Sequence, residues 1–231
     1  MITYTTLMGF ASGMGILLVV QLGRRLLVSP RAGIVSFDGW ALSFAGLGAI
    51  LTVLGGHMSV AWPLQNPERF KNFMFGEPVV VLGVLLLSAG FFLWRRGDAL
   101  VAMLGPKGAV SEEVRTYLAT VLRPVVWIVF GLGLVLAACA AAALRYEVFA
   151  SAPPQEPLLG TLPKSLVNLP LCALYVLPAV GCLLAPLAVI GRSRGAMAVT
   201  GVTLSLTGLG WLAVAVLVYY THVGMDFNFR G

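Results

Sequence analysis

Residues 124–144 read PVVWIVFGLGLVLAACAAAAL and include no charged side chain. About 20 consecutive apolar residues are enough for one α-helix to cross the hydrocarbon core of a bilayer, which is about 30 Å thick. The apolar residues also lack the alternation that is typical of a membrane β-strand. The segment therefore predicts a transmembrane helix.

Five other uncharged segments have a similar length, so the sequence predicts six spans. Of the 231 residues, 59% are hydrophobic and only 10% are charged, whereas about a quarter of an ordinary soluble domain is charged. This composition excludes a soluble globule and predicts an all-α integral membrane helical bundle, forming a single transmembrane domain over residues 1–231. The predicted spans are 5–22, 39–61, 78–94, 124–144, 166–190 and 195–220.

The loops between the spans divide into two sets by charge. Ten of the fifteen lysines and arginines lie in the loops after spans one, three and five, and these loops carry the whole net charge of +6. Short loops rich in lysine and arginine stay in the cytoplasm. We therefore expect a cell-membrane protein with both termini non-cytoplasmic, and we attribute the basic charge to topology, with no nucleic-acid partner.

The longest linker, 95–123, contains an amphipathic pattern. Val114, Leu118 and Val121 recur at the spacing of one apolar helical face. Ser111 is placed as an N-cap for such a helix. We predict an amphipathic helix on the inner face, between spans three and four, that braces the fourth span.

Prolines and glycines inside the spans predict kinks and close packing. Pro178 and Pro186 remove backbone hydrogen bonds from span five and predict a kink there. Gly9 and Gly13 form a GxxxG motif, which lets two membrane helices approach closely. Packing is also predicted for Gly46, Gly48, Gly131, Gly133, Gly208 and Gly210.

Motifs of the common enzyme classes are absent from the sequence, which contains no HExxH, GxxxxGK or GxSxG. The six spans contain no Asp, Glu, Lys or Arg, whereas ion-coupled pumps need ionisable groups at mid-membrane depth. The sequence therefore favours a protein that is not an enzyme.

Polar and aromatic residues concentrate in two outer segments. Residues 55–78 read GGHMSVAWPLQNPERFKNFMFGEP, and residues 219–229 read YYTHVGMDFNF. We predict that they form a cap that binds a ligand, a partner membrane subunit or a second copy of the chain. The candidate binding residues are His57, Trp62, Asn72, Phe75, Glu77, Tyr220 and Asp226.

Two of these assignments have a competing interpretation. Glu77 precedes Pro78, and the pair also fits the first turn of a helix, where a carboxylate lies near the positive end of the helix dipole. His57 and His222 lie near the outer ends of their spans and can simply be interfacial residues in contact with water. With Met58 and Met225 they also suit copper, and two histidines can hold a haem iron, so a haem- or copper-binding redox protein is an alternative.

A third possible function is that of a facilitator for a small neutral solute, which the kinked fifth span and the glycine-rich helices favour. This function needs a polar path through the bundle. The hydroxyl groups available inside the spans are Ser43, Thr52, Ser88, Thr203, Ser205 and Thr207.

The run GGHMSVAWPL, followed by NFMFGEP and an apolar span, resembles the pattern of a family of small polytopic membrane proteins classed as a domain of unknown function. The resemblance implies a membrane protein of about six helices and assigns no activity. The residues that carry it are His57, Trp62, Pro63, Phe75, Gly76, Glu77 and Pro78.

Overall fold

The computed structural model describes residues 4–34, 36–65, 68–150 and 162–228, whose regular elements are helices. Within these ranges, six helices are long and apolar enough to cross a membrane. The predicted all-α bundle is therefore confirmed. The helices are α1 Tyr4–Gly23, α2 Asp38–Ala61, α3 Lys71–Met103, α4 Glu112–Arg145, α5 Lys164–Ala185 and α6 Arg194–Asn228.

Helix α3 begins seven residues before the predicted span, at Lys71, so Pro78 lies inside the helix. The interpretation of Glu77 and Pro78 as a helix start is therefore wrong. A proline at this position cannot donate a hydrogen bond to the carbonyl of Met74, four residues earlier. The hydroxyl of Tyr175 on α5 donates to that carbonyl at 3.1 Å, which replaces the missing helical hydrogen bond.

Helix α4 begins where the amphipathic pattern predicts a helix. The Ser111 hydroxyl accepts a hydrogen bond from the backbone N–H of Val114 at 3.3 Å, so the predicted N-cap is confirmed. Val114 and Leu118 are buried in the core. The amphipathic segment is not a separate helix, however, because it continues through Pro124 as one helix of 34 residues.

The predicted break in the fifth span lies at Pro186, one of the two prolines for which a kink was predicted. Pro178 is inside the regular part of α5, whereas Pro186 begins a five-residue π-helical turn, Pro186–Ile190. A wider turn is a common way for a helix to accommodate a residue that cannot donate its backbone hydrogen bond.

The basic loops meet at one end of the bundle. The backbone N–H of Val110 donates to the carbonyl of Pro30 at 3.0 Å, and Arg192 pairs with Glu112 at 2.9 Å. We call this the inner end and the opposite end, where α1 begins, the outer end. The basic loops, which the sequence predicted to lie on one side, are thus at the same end of the structure. The orientation of the two ends in a membrane stays a prediction.

In the described part of the chain, the most extensive contact between two helices is that of α2 with α3. Four glycines of α3 spaced seven residues apart are buried: Gly76, Gly83, Gly90 and Gly97. A Cβ atom on Gly83 would lie 2.6 Å from the backbone nitrogen of Thr52, and one on Gly90 would lie 2.9 Å from the carbonyl oxygen of Ala41. The two backbones are therefore in direct contact, which only small residues permit.

The glycines predicted to pack have different surroundings. A Cβ atom on Gly13 would lie 2.7 Å from the carbonyl oxygen of Gly208, so the GxxxG motif of α1 packs against α6 as predicted. Gly48 is similarly close to α3, with a Cβ atom only 2.6 Å from the backbone nitrogen of Leu87. In the described part of the chain, a Cβ atom on Gly46 or Gly131 would have no neighbour within 4 Å, so the prediction is wrong for these two.

Candidate functional site

An elongated chamber of about 690 Å³ lies between α1, α3, α4, α5 and α6. Its wall includes Thr5 to Val19 on α1 and Leu204 to Val218 on α6, and at 1.5 Å per residue each stretch is about 21 Å long. Among the described residues, none from α2 lines it, because α2 packs against α1 and the opposite face of α3. The volume lies within the range of about 300–1,000 Å³ that is typical of small-molecule sites.

The chamber wall is apolar over most of its length. Aliphatic side chains from all five helices line it, including Ile16, Leu82, Leu132, Leu171 and Val214. Charged groups occur only at the outer end among the lining residues described, where Lys71 pairs with Glu68. The chamber therefore suits a long apolar molecule whose polar end lies at the outer end.

Aromatic rings form one wall, which extends from Phe75 in the outer part of the chamber to Tyr175 and Trp211 in mid-span. The ring of Phe75 lies 6.5 Å from that of Tyr175 and 6.3 Å from that of Trp211, and all three residues line the chamber. Phe149 packs against Phe75 with the ring centroids 5.7 Å apart. Such a cluster offers a ligand flat apolar faces with few polar atoms.

Ser12 introduces an unpaired polar group into this wall. Its side chain is 5% exposed and lines the chamber, and its hydroxyl has no hydrogen-bond partner among the residues that the structure describes. An unsatisfied buried hydroxyl costs about 1–3 kcal/mol. Five other span hydroxyls avoid this cost by donating to the carbonyl four residues earlier: Ser43, Ser88, Thr203, Ser205 and Thr207.

The hydroxyls predicted for a polar path do not line one. Of the six, only Thr207 lies on the chamber wall. Ser43 and Ser88 are exposed on the outside of the bundle. The chamber thus offers a hydrophilic solute few partners, and its chemistry favours an apolar ligand.

Asn72, a predicted binding residue, is 0% exposed and holds the loop before α3. Its Oδ1 atom accepts a hydrogen bond from the backbone N–H of Leu64 at 3.0 Å. Its Nδ2 atom donates to the carbonyls of Leu64 at 2.9 Å and Arg69 at 2.8 Å. The amide is thereby occupied within the protein, and its visible role is to close the loop.

Trp62 ends α2 in the left-handed conformation, with φ at +46°, which residues other than glycine seldom adopt. Its indole N–H donates to the carbonyl of Ser59 at 2.7 Å, and the guanidinium of Arg69 lies 5.0 Å from the ring centroid. These contacts hold the side chain and offset the backbone strain. The visible role of Trp62 is therefore to terminate α2.

His57 and His222 are the predicted metal or haem ligands. His57 is exposed, and its Nδ1 atom lies 3.1 Å from the hydroxyl of Tyr4. Met58 is 0% exposed and belongs to the core, so it does not share the exposed surface of His57. Among the described residues, no group of three or more His, Cys, Asp or Glu is placed to hold a metal ion. The side chain of His222 lies outside the described part of the structure, and haem or copper binding stays a prediction.

The cap expected from the remaining candidates stays a prediction. Glu77 and Tyr220 are exposed on different helices, α3 and α6. The backbone of Asp226 belongs to α6, but its side chain lies outside the described part of the structure. Of the candidates whose side chains are described, only Phe75 lines the chamber.

Sequence reasoning missed Ser12, Tyr175 and Trp211 as parts of the site. A signal existed for the two aromatic residues, because both lie in mid-span, whereas Tyr and Trp of membrane proteins concentrate at the interfaces. Ser12 gives no such signal, because a serine in a helix commonly bonds to its own backbone.

The chain matches, over residues 1–225, the family described as Protein of unknown function (DUF981). It belongs to this family. The resemblance predicted from the segment 55–78 is thus confirmed, and no curated protein and no solved structure matches the chain. In this DUF981 protein the glycine of the FGEP motif serves helix packing, because a Cβ atom on Gly76 would lie 2.6 Å from the Oγ atom of Ser59 and 3.1 Å from the carbonyl oxygen of Gly55.

Proposed function

We propose that this protein is a non-enzymatic protein of the cell membrane that holds the hydrocarbon chain of a lipid-like molecule in its chamber. The observation that carries the proposal is the length and chemistry of that chamber, which is lined by aliphatic and aromatic side chains of five helices. Water would find too few polar partners there. An apolar chain would instead restore dispersion contacts that the wall residues otherwise lack.

The polar end of the ligand lies at the outer end in this proposal. The ion pair of Lys71 with Glu68 and the hydroxyl-bearing residues Thr5 and Thr6 border the chamber there, which suits the polar end of a lipid-like molecule. The outer end faces away from the cytoplasm, with both termini on that side, because the basic loops are at the opposite end.

We place the path from the bilayer into the chamber between α3 and α4. These two helices are consecutive in the chain but touch only over a short stretch, whereas α2 packs closely against α3, as α4 does against α5. Chamber residues lie on both sides of this seam, with Leu82 and Leu85 on α3 and Val125 and Val129 on α4. In this proposal a lipid chain enters the chamber between these two helices.

In this proposal a protein partner binds the outer surface of the bundle and not the chamber. His57, Glu77 and Tyr220 are exposed on the outer half of the bundle and are available to a partner subunit or a second copy of the chain. Such an assembly would add to the mass of the particle without filling the chamber.

Native mass spectrometry of the protein purified in mild detergent tests the proposal. We expect one retained lipid on the wild type, and its loss in Val129→Trp, because Val129 lines the chamber and the indole would occupy it. Ile128→Trp is the matched control, since Ile128 is the preceding residue on α4 and is 55% exposed. Wild type without lipid, or equal retention by all three proteins, would refute the proposal.

A further inference from the structure

One side chain of the chamber wall indicates which functional group the lipid carries. This inference rests on the proposed function. We propose that the Ser12 hydroxyl donates a hydrogen bond to a carbonyl oxygen of the bound lipid. Ser12 lies seven residues after Thr5 on α1, which places this carbonyl about 10 Å from the outer end of the chamber. The ligand is therefore an acyl ester or a quinone with a long chain, and not a plain hydrocarbon.

The first support is the unpaired hydroxyl itself. In the described part of the chain, the structure leaves two span hydroxyls buried and unpartnered, those of Ser12 and Thr52. Thr52 lies in the tight seam between α2 and α3, against Gly83, where no ligand fits. Ser12 lies on the chamber wall, so a ligand can supply the missing acceptor.

The neighbours of Ser12 support the same conclusion. Gly9 and Gly13, on either side of it, bring α1 against Trp211 and Gly208 of α6, so the helix is held in place around the serine. Thr207, the nearby hydroxyl of α6 on the chamber wall, donates to the carbonyl of Thr203 at 2.8 Å. The Ser12 hydroxyl thus lies on a closely packed stretch of α1 and is left without a partner in the described structure.

A neutral acceptor fits this position better than a charged group. No Asp, Glu, Lys or Arg occurs in the first, fifth or sixth predicted span, and a buried charge without a partner is far more costly than a buried carbonyl. The aromatic wall formed by Phe75, Tyr175 and Trp211 extends from the outer part of the chamber to mid-span. Offset stacking on these rings would suit a quinone, while their apolar faces would also accept an ester-linked chain.

Two pairs of probes test the inference on delipidated protein. One pair is an ester-linked diacyl phosphatidylcholine and its ether-linked dialkyl analogue, and the other is a decyl-substituted benzoquinone and decylbenzene. We expect the wild type to bind the carbonyl-bearing member of one pair about three- to tenfold more tightly, the value of one neutral hydrogen bond. The pair that shows the preference identifies the source of the carbonyl.

The variants Ser12→Ala and Thr52→Val separate the inference from general effects of losing a buried hydroxyl. Ser12→Ala should bind both members of the pair equally, while Thr52→Val should keep the preference. With a ¹³C-labelled carbonyl, the infrared stretch of the bound probe should lie at a higher frequency in Ser12→Ala than in the wild type, because the hydrogen bond is lost.

A wild type that binds both members of each pair equally would overturn the inference, and so would a preference that survives in Ser12→Ala. In both cases binding that is still abolished by Val129→Trp would leave the proposed function intact. A wild type that binds none of the four probes would refute the proposed function itself.

Discussion

The two faces of α3 differ in what they pack against. One face carries Gly76, Gly83, Gly90 and Gly97 and touches the backbone of α2. The other face carries Leu82, Leu85 and Ala89, among others, and borders the chamber. Small residues let two helices meet along their backbones, whereas branched side chains on several surrounding helices hold those helices apart and enclose a space. One helix thus separates the closely packed α2–α3 pair from the part of the bundle that surrounds the chamber.

The sharpest test of this comparison uses two adjacent positions. Gly90→Leu should lower the free energy of unfolding by about 3 kcal/mol or more, because a Cβ atom at this position would already lie 2.9 Å from the carbonyl oxygen of Ala41 and from the backbone nitrogen of Ala45. Ala89→Leu is the control and should change it by less than about 1 kcal/mol, since the new side chain has room in the chamber. Denaturant titration in detergent measures both, and equal losses would show that the two faces do not differ.

The loop that joins α2 to α3 at the outer end gives the next largest expected change in the free energy of unfolding. Asn72→Ala would leave three backbone groups in the 62–70 loop without their partner, and we expect a loss of about 2–3 kcal/mol. Hydrogen exchange at the amide of Leu64 should become faster. Gln65→Ala, an exposed amide in the same loop, should have little effect, and a similar loss in that variant would contradict the special role of Asn72.

Substitution of the two unpaired hydroxyls compares the chamber, which Ser12 lines, with the α2–α3 seam, where Thr52 lies. In delipidated protein, Ser12→Ala and Thr52→Val should each raise the free energy of unfolding by about 1 kcal/mol, because each removes a buried hydroxyl that lacks a partner in the described structure. With the preferred carbonyl lipid present, only Ser12→Ala should show a smaller ligand-induced rise in Tm. A destabilised Ser12→Ala without lipid would mean that its hydroxyl is already satisfied.

The smallest effect is expected at the inner end, where surface ion pairs join the loops. Glu112 pairs with Arg115 and Arg192 at 2.9 Å each, and its side chain is 70% exposed. Because exposed ion pairs contribute little, Glu112→Gln should cost about 0.5 kcal/mol, and less at high salt. Glu113→Gln is the control, since the described structure shows no ion pair for Glu113. If Glu112→Gln lowered the free energy of unfolding by several times this amount, these ion pairs would be a main source of the stability of the bundle, contrary to the prediction.

The tight seam was missed in the sequence, where only Gly48 among its glycines was expected to pack. The seven-residue spacing of Gly76, Gly83, Gly90 and Gly97 is a local pattern that could have indicated one continuous face of close contact. The roles of the predicted cap residues were harder to infer from the sequence. Asn72 and Trp62 lie in a segment rich in polar and aromatic residues, which is typical of a binding site, but their polar atoms bond to nearby backbone groups. A side chain's donors and acceptors are the same whether it serves a ligand or the backbone.

The sequence by itself determined the six spans, the grouping of the basic loops and the N-cap at Ser111, because span length, loop charge and capping depend on residues close together in the chain. The tertiary structure alone decided that Tyr175 completes the hydrogen bonding of α3 beside Pro78, 101 residues from its partner Met74. It also decided that Ser12 faces a chamber and Ser43 the outside of the bundle. In an apolar helix the side facing lipid and the side facing an apolar chamber have the same composition, so only packing distinguishes them.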